Sequence, residues 1–344
     1  MIKFDKIIDK NMKGKFLITG ILNIYIICCL FLIVSCQKGE PTKYINSIIW
    51  TKININTWGL NSMFFTNEKY GFLCNEQGTL FRTTDGGVTW TSSYKEILQQ
   101  SNSLFFLNPK YGVAVVRGQY SKIVLSNDSG KTWKIVANPL SDSTIALNAI
   151  QFIDSENGYI VGRGGVVLKT INAGKKWNVI RTPKIDKISD LNSVCFVNKT
   201  IGYAVGGNGT ILKTINEGNT WIELTNRSTI TANNLKSVHF IDDQNGYAVG
   251  DWGTIIKTTD GGKTWINNYT GITPFFNSVC FADKNIGYAV GDKIVYTTNG
   301  GQTWIDFPEF KYGVSVVFVN SSVGFILNSV SILKTTNAEV LNNK

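Results

Sequence analysis

A short turn motif recurs six times along this chain of 344 residues, and its spacing limits what the chain can fold into. Each copy begins with Asp or Asn, passes through one or two glycines and ends in a tryptophan. The tryptophans stand at positions 90, 133, 177, 221, 265 and 304, so successive copies lie 39–44 residues apart. A period of about 40–50 residues is typical of propellers and solenoids, in which one supersecondary unit is repeated.

The residues of this turn motif predict a tight hairpin. Asp and Asn side chains both accept hydrogen bonds from nearby backbone amides, and glycine adopts positive φ without a steric clash. Half of the copies begin with Asn, which cannot carry a charge or transfer a proton, so we interpret the motif as structural. A calcium loop would need more oxygen ligands at set spacings. The first and last residues of the six copies are Asp85 and Trp90, Asp128 and Trp133, Asn172 and Trp177, Asn216 and Trp221, Asp260 and Trp265, and Asn299 and Trp304.

The segments between the motifs contain short runs of β-branched and aromatic residues, which predict strands. In the fourth unit these runs cover 192–197, 202–206, 210–214 and 221–224, so one unit contains four strands. The first strand of the unit recurs seven times, at 62–65, 103–106, 149–152, 193–196, 237–240, 278–281 and 315–318. The chain therefore has seven units but only six complete motifs.

The seventh unit stops near Asn337 without a tryptophan, whereas Trp50 precedes the first unit without a unit of its own. We predict that the segment with Trp50 supplies the outer strand of the last unit and closes a ring. Closure of this kind protects the edge strands of a propeller. The predicted fold is all-β, a seven-bladed propeller of four-stranded blades over residues 46–338.

The segment 246–265 reads Gly-Tyr-Ala-Val-Gly-Asp-Trp-Gly-Thr-Ile-Ile-Lys-Thr-Thr-Asp-Gly-Gly-Lys-Thr-Trp. This pattern resembles the Asp-box (BNR) repeat propellers, and it is most similar to the photosystem II assembly and stability factor-like group. The resemblance covers nearly all of the chain after residue 46. It implies a propeller fold and an assembly role, but Asp-box propellers also serve sialidases, glucanases and receptors.

The N-terminal segment has the features of a secretory signal. Lys13 and Lys15 precede an apolar run at 16–34, and Ser35 and Cys36 follow it. This ending resembles the lipobox of bacterial lipoproteins, which implies a signal peptide at 1–35, lipidation (palmitate) of Cys36 and a tether at 36–45. At the other end, residues 339–344 are predicted to be a C-terminal tail after the propeller. The residue after Cys36 is Gln37, which favours the outer membrane. An uncleaved signal anchor is the alternative, since the run is long enough to span a bilayer. Met12 is an alternative start to Met1.

Charge and cysteine content exclude several classes of function. The formal net charge is +10, of which the leader contributes +3. The basic residues of the remaining chain are scattered and form no continuous block, so we expect no nucleic-acid partner. Cys74, Cys195 and Cys280 show no paired spacing, which argues against a disulfide framework. Zinc could be bound by Cys195, His239 and Cys280, which hold equivalent positions in successive first strands. Zinc–ligand bonds are only about 2.0–2.3 Å long, however, and equivalent positions in adjacent blades are too far apart for one ion to reach all three side chains. We expect no metal and no cofactor.

The candidate site lies on the face formed by the blade connections and by the turns between second and third strands, where loops vary over a rigid scaffold. The turn motif lies on the opposite face. The candidate binding residues are Arg117, Tyr120, Arg163, Asp251, Trp252, Asp292 and Lys293.

The sequence favours a non-catalytic, lipid-anchored and extracytoplasmic scaffold that is monomeric and binds an envelope or extracellular protein. The alternative is a carbohydrate-binding protein or a glycosidase. In that alternative, Asp251 and Asp292 would be the two carboxyl groups, which glycosidases hold roughly 5–10 Å apart, and Trp252 would stack on a sugar ring.

Overall fold

The computed structural model describes residues 49–117, 120–140, 144–181, 190–224, 231–268 and 273–338. The predicted signal peptide, Cys36 with its tether, and the tail at 339–344 lie outside these ranges and stay predictions. Within the described ranges, no helix has the length and apolar character needed to cross a membrane.

The chain forms seven antiparallel sheets of four strands each, which confirms the seven-bladed propeller. The first strand, β1 (Thr51–Asn54), belongs to the last blade. Blade 1 contains β2 (Leu60–Phe65), β3 (Gly71–Asn75), β4 (Thr79–Thr83) and β5 (Thr91–Tyr94), and blade 2 contains β6 (Ser101–Phe106), β7 (Gly112–Val116), β8 (Lys122–Ser126) and β9 (Lys134–Val136). Blade 3 contains β10 (Leu147–Phe152), β11 (Gly158–Gly162), β12 (Val167–Thr170) and β13 (Asn178–Arg181), and blade 4 contains β14 (Leu191–Phe196), β15 (Gly202–Gly206), β16 (Ile211–Thr214) and β17 (Ile222–Glu223). Blade 5 contains β18 (Leu235–Phe240), β19 (Gly246–Gly250), β20 (Ile255–Thr258) and β21 (Ile266–Asn267), and blade 6 contains β22 (Phe276–Phe281), β23 (Gly287–Gly291), β24 (Lys293–Thr297) and β25 (Ile305–Lys311). Blade 7 contains β26 (Gly313–Phe318), β27 (Gly324–Asn328) and β28 (Ser331–Thr335), and single 3₁₀ turns stand at Glu96–Leu98, Arg163–Gly165 and Gly207–Gly209.

Aromatic side chains fill the interfaces between neighbouring blades. Phe240, which ends the inner strand of blade 5, stacks on Tyr203 of blade 4 with the ring centroids 3.7 Å apart, and it meets the edge of Trp265 at 5.8 Å. The same ring leaves no room for a side chain at Gly246, because a Cβ there would lie 2.5 Å from Phe240 Cε1. Equivalent Phe–Trp contacts recur in five other blades, which explains why each unit keeps its aromatic residues at the same positions.

The turn motif is a hydrogen-bonded clamp, as predicted from its residues. Thr264 donates to Asp260 through its backbone amide at 2.9 Å and its hydroxyl at 2.6 Å, and the buried Thr258 hydroxyl accepts the Gly262 amide at 2.9 Å. The hydrogen bonds from Thr264 are the largest cause that lowers the pKa of Asp260 to about 2. Asn216 makes the same bond, since its Oδ1 accepts the Thr220 amide at 3.0 Å. A neutral acceptor therefore serves the turn as well as a charged one.

In most blades the motif also fastens its blade to the preceding one. The Gly261 carbonyl of blade 5 accepts the Tyr203 hydroxyl at 2.8 Å and the Lys213 ammonium at 2.6 Å, both from blade 4. Burial raises the pKa of Tyr203, so this hydroxyl keeps its proton and remains a donor. The same pair of donors links blade 3 to blade 4 and blade 5 to blade 6.

The ring closes through β1, as predicted from Trp50. β1 pairs antiparallel with β28, so blade 7 takes three strands from the C-terminal end and one from the N-terminal end. Trp50 is buried, and its indole donates to the Tyr288 hydroxyl of blade 6 at 3.1 Å. Asn337 Oδ1 accepts the Ile49 amide at 3.0 Å and the Thr335 hydroxyl at 2.9 Å. Asp260 accepts the equivalent two donors, the Thr264 amide and the Thr258 hydroxyl, within one continuous turn. The two ends of the chain thus assemble the seventh turn motif.

Candidate binding face

The blade connections and the turns between second and third strands share one face, which we call the connection face. Backbone hydrogen bonds tie them together in blade 1, where the Lys95 amide of the connection donates to the Gly78 carbonyl of the turn at 2.8 Å. The turn motifs lie on the opposite face with the turns between first and second strands, since the Gly261 amide donates to the Gln244 carbonyl at 2.9 Å. The structure therefore places the two sets of turns as predicted.

A ring of asparagines surrounds the axis of the propeller near the connection face. Every inner strand has a β-bulge at its second residue, and in five blades that residue is an asparagine. The side-chain amide of each asparagine donates to a backbone carbonyl at a distance of 2.8–3.1 Å. That carbonyl belongs to the first residue of the next inner strand. A β-bulge changes the direction of the side chain of the bulged residue. The asparagine can therefore form a hydrogen bond to the inner strand of the next blade, with which its own strand makes no backbone pairing. The asparagine ring consists of Asn61, Asn102, Asn148, Asn192 and Asn277.

A second set of hydrogen bonds lies one residue further along the inner strands. Serine hydroxyls accept backbone amides of the next blade, as in Ser237 Oγ with the Val279 amide at 3.2 Å. In blade 3, where alanine replaces this serine, Gln151 Oε1 accepts the Phe196 amide at 2.8 Å instead. Together with the asparagine ring, these bonds hold the inner strands as a rigid wall around the axis.

A funnel with a volume of about 790 Å³ opens in the middle of this wall. Its lining residues come from four blades, and all of them except Gly207 have polar or charged side chains: Asn102, Arg117, Asp190, Asn192, Gly207, Asn208, Asn234, Lys236 and Asn277. Lys236 forms an ion pair with Asp251, with Nζ and Oδ1 3.1 Å apart. Arg117 has no ion pair with any described residue, so its guanidinium is available to a ligand.

The predicted binding residues fall into two groups. Arg117 lines the funnel, while Tyr120, Arg163 and Trp252 are exposed on the surrounding turns of the connection face. Lys293 is bound within its own blade, because its Nζ lies 2.9 Å from Asp306 Oδ2.

Asp251 and Asp292 each make contacts that stabilise the turns. Asp251 is only 9% exposed, and besides Lys236 it accepts the Asn234 side-chain amide at 2.9 Å. Asp292 Oδ2 accepts the Phe275 backbone amide at 3.1 Å. Both carboxylates therefore have structural partners, which favours a positioning role over a reacting one.

The exposed aromatic residues of the described chain lie on the connection face. Their exposed fractions range from 45% to 68%, and they are Trp58, Tyr94, Tyr120, Trp252 and Tyr312. The exposed apolar residues at the turn motifs of the opposite face are aliphatic, as at Val88, Ile171 and Ile215. Aromatic residues are enriched where proteins bind partners, so this asymmetry makes the connection face the candidate binding face.

Cys195, His239 and Cys280 lie in successive inner strands, as predicted, and burial governs their ionisation. Burial raises the pKa of Cys195 to about 11 and of Cys280 to about 12, and it lowers the pKa of His239 to about 4. All three are neutral at pH 7. Among the described residues, no group of three or more His, Cys, Asp or Glu side chains could hold a metal ion.

The asparagine ring and Lys236 are not among the site residues predicted from the sequence, although the sequence contains a signal for part of the ring. Asparagine recurs directly before the serine that opens the predicted first strand in four units, at Asn61, Asn102, Asn192 and Asn277. A polar residue repeated at one position of a buried strand indicates a shared contact. Asp190 and Lys236 have no such signal, because each occurs in one blade.

Comparison with known proteins identifies relatives of this chain. The family model described as "Photosynthesis system II assembly factor YCF48" matches residues 96–186, 182–258 and 228–308. No curated protein has a significant match to the sequence.

Solved structures share the fold at low sequence identity. A structure described as YCF48 bound to D1 peptide is 18% identical, covers 87% of this chain and 99% of its own, and superposes with a TM-score of 0.68. YCF48 from Cyanidioschyzon merolae is 19% identical over 83% of this chain and 98% of its own, with a TM-score of 0.67. A GH74 xyloglucanase from Xanthomonas campestris is 9% identical over 85% of this chain and 54% of its own, with a TM-score of 0.65.

Proposed function

This chain belongs to the family of the photosynthesis system II assembly factor YCF48, and from that membership we propose that it is a non-catalytic scaffold that binds a protein partner on the connection face. The observation that carries the proposal is the funnel: a rigid, polar cavity that contains Arg117 and is surrounded by exposed aromatic side chains. A structural neighbour that holds a D1 peptide supports a peptide segment as the ligand.

The chemistry of the face suits a peptide. Asn102 and Asn192 direct their amide nitrogens to backbone carbonyls, which leaves the side-chain oxygens to accept N–H groups from a ligand. Arg117 can bind a carboxylate or a carbonyl, and Tyr120 and Arg163 extend the contact outward. Because the inner strands are bonded to one another around the axis, the free protein already holds the bound geometry, which lowers the entropic cost of binding.

We also propose that a lipid on Cys36 anchors a monomeric propeller outside the cytoplasm, with an envelope or extracellular protein as the partner. The lipobox-like residues before Cys36 support this anchor. Metabolic labelling with a radioactive fatty acid is the test. Label should enter the wild type and be lost in Cys36→Ser, and an unlabelled wild type would contradict the anchor.

Catalysis ranks below binding because Asp251 and Asp292 already have structural partners. A panel of fluorogenic glycosides tests this ranking. We expect no turnover, whereas hydrolysis that disappears in Asp251→Asn and leaves the fold intact would favour a glycosidase.

The binding proposal is tested by pull-down from envelope extracts of the native host with quantitative mass spectrometry. Arg117→Glu should remove the specific partner, because it replaces the positive charge at this position of the funnel with a negative one. Lys131→Glu is the matched control, since it makes the same charge change on an exposed residue of the same blade at the turn motif. Identical partner lists for wild type and Arg117→Glu would contradict the connection face as the binding site.

A further inference from the structure

Trp252 has a backbone conformation that tryptophan rarely adopts. Its φ is +57°, in the left-handed region, and the equivalent turns of blades 3 and 4 hold Gly164 at +66° and Asn208 at +52°. Glycine and asparagine suit this region, whereas a bulky side chain there is strained. The indole is also 60% exposed, so core packing does not compensate for the strain. Strain retained at an exposed residue points to a role in binding.

The structure holds this indole in place from below. The ring of Trp252 packs against Phe275 with the centroids 5.1 Å apart, and the Gly253 amide donates to the Pro274 carbonyl at 2.6 Å. Phe275 is fixed in turn, since Lys236 Nζ lies 5.3 Å from its ring centroid. Lys236 also lines the funnel, so the aromatic platform and the polar cavity are adjacent parts of one surface.

The charges of this surface are balanced. Lys236 is paired with Asp251, and the positive charge of Arg117 is matched by the negative charge of Asp190 in the lining. Acceptor oxygens are in excess, because the side-chain oxygens of Asn102 and Asn192 have no donor among the described residues. A surface of this kind suits a neutral ligand that offers many hydrogen-bond donors and an apolar face.

We propose that Trp252 and the funnel form a binding site for a neutral oligosaccharide. The C–H face of one pyranose ring stacks on the exposed indole, and hydroxyl groups of the neighbouring rings donate to Asn192 and Asn102. An anionic glycan would need a surplus of cations, which the balanced funnel does not provide. A wholly apolar ligand would leave the amide oxygens unpaired, which is costly. This site is a second function of the connection face and does not depend on the protein partner.

The test is a binding titration of the purified chain with the neutral probes cellohexaose, xylohexaose, maltohexaose and chitohexaose, and with a sialylated oligosaccharide as the anionic probe. The key variant is Trp252→Asn, which installs the residue found at the same turn position in blade 4. It removes the stacking surface and relieves the strain, so it should melt at the same temperature as the wild type or higher. Trp58→Asn is the matched control, because Trp58 is 65% exposed on the same face.

We expect at least one neutral probe to bind, the sialylated probe not to bind, and affinity to fall by about tenfold or more in Trp252→Asn but not in Trp58→Asn. Binding of no neutral probe, or equal losses in both variants, would overturn the saccharide site. If no saccharide binds but the pull-down still captures a partner that Arg117→Glu loses, only the saccharide site is refuted. Failure of the saccharide site and failure of the protein-binding proposal are therefore distinguishable.

Discussion

Individual side chains in the turn motif act as hydrogen-bond acceptors, and their charge is secondary. Asp260 and Asn216 receive the same backbone amide, from Thr264 and Thr220, at 2.9 and 3.0 Å. The hydrogen bonds that Thr264 donates stabilise the ionised carboxylate, which lowers the pKa of Asp260 to about 2. The turn needs the oxygen at this position, and either residue provides it.

Two substitutions at Asp260 separate charge from hydrogen bonding. Asp260→Asn should change the free energy of unfolding by less than about 0.5 kcal/mol, because the acceptor is kept. Asp260→Ala should cost about 1–2 kcal/mol, because the Thr264 amide and hydroxyl lose their acceptor. Urea denaturation at pH 7 measures both. Equal costs for the two variants would mean that the charge stabilises the turn.

His239 makes the stability of the propeller depend on pH. Burial lowers its pKa from 6.5 to about 4, so between these values the unfolded chain binds the proton more readily than the folded one. Stability is therefore full above pH 6.5 and falls as the pH drops toward 4, with a loss of about 2 kcal/mol at pH 5. His239 is the only histidine in the sequence, so the assignment is direct.

The matched variant is His239→Gln, because Gln151 holds the equivalent position in blade 3. Urea denaturation between pH 7 and pH 5 should show a decline for the wild type and a much flatter profile for His239→Gln. The same decline in both proteins would show that other groups cause it.

Short strands and bulges become stable elements here only through their neighbours. The outer strands β17 and β21 contain two residues each, and every inner strand carries a bulge that breaks its pairing for one residue. Hydrogen bonds from the asparagine ring and from side chains such as Tyr203 and Lys213 compensate, because they join neighbouring blades. Element β1 is the extreme case, since its pairing partner β28 is about 280 residues away in sequence.

The closing element is tested through Trp50. Trp50→Ala should cost about 3–5 kcal/mol, because it empties a packed site and removes the donor to Tyr288. Trp58→Ala, an exposed residue just beyond the same strand, should change stability by less than about 0.5 kcal/mol. Thermal and urea unfolding measure both variants. A mild effect of Trp50→Ala would mean that β1 does not hold the ring closed.

The described propeller is a ring, and its first and last segments complete one blade. Ile49 and Asn337 are in hydrogen-bond contact, so the seventh turn motif lacks only a continuous backbone. The ring also creates the funnel, which contains residues of blades 2, 4, 5 and 6 that no single blade could bring together.

A circular permutant tests this view of the ring. The permutant begins at Thr57, and residues 49–56 are moved to the C-terminal end, after Asn337. A Gly-Gly-Lys linker joins Asn337 to residue 49, because these three residues separate Asp260 from Thr264 in the complete motif of blade 5. We expect it to fold and to melt at or above the temperature of residues 49–338 in their native order. The same permutant with Asn337→Ala should melt lower. A permutant that fails to fold would contradict the assembled seventh motif.

The sequence alone was sufficient for the architecture. The period of the tryptophans and the strand patterns predicted seven blades, because turns and strand alternation depend on residues close together in the chain. The closure followed from counting, since Trp50 had no unit and the seventh unit had no tryptophan. The mixture of Asp85, Asp128 and Asp260 with asparagines at the same position showed that the turn motif is structural. These features are local, so a single sequence contains them.

The tertiary structure decided the site. The sequence predicts a solvated turn residue at Asp251, yet Lys236 of the adjacent inner strand and Asn234 just before that strand enclose it. Arg117 and Asp190 meet in one funnel although 73 residues separate them. The left-handed backbone of Trp252 is likewise visible only in three dimensions. The physical reason is that contacts across blades depend on the curvature of the closed ring, and the repeat pattern of the sequence does not specify that curvature.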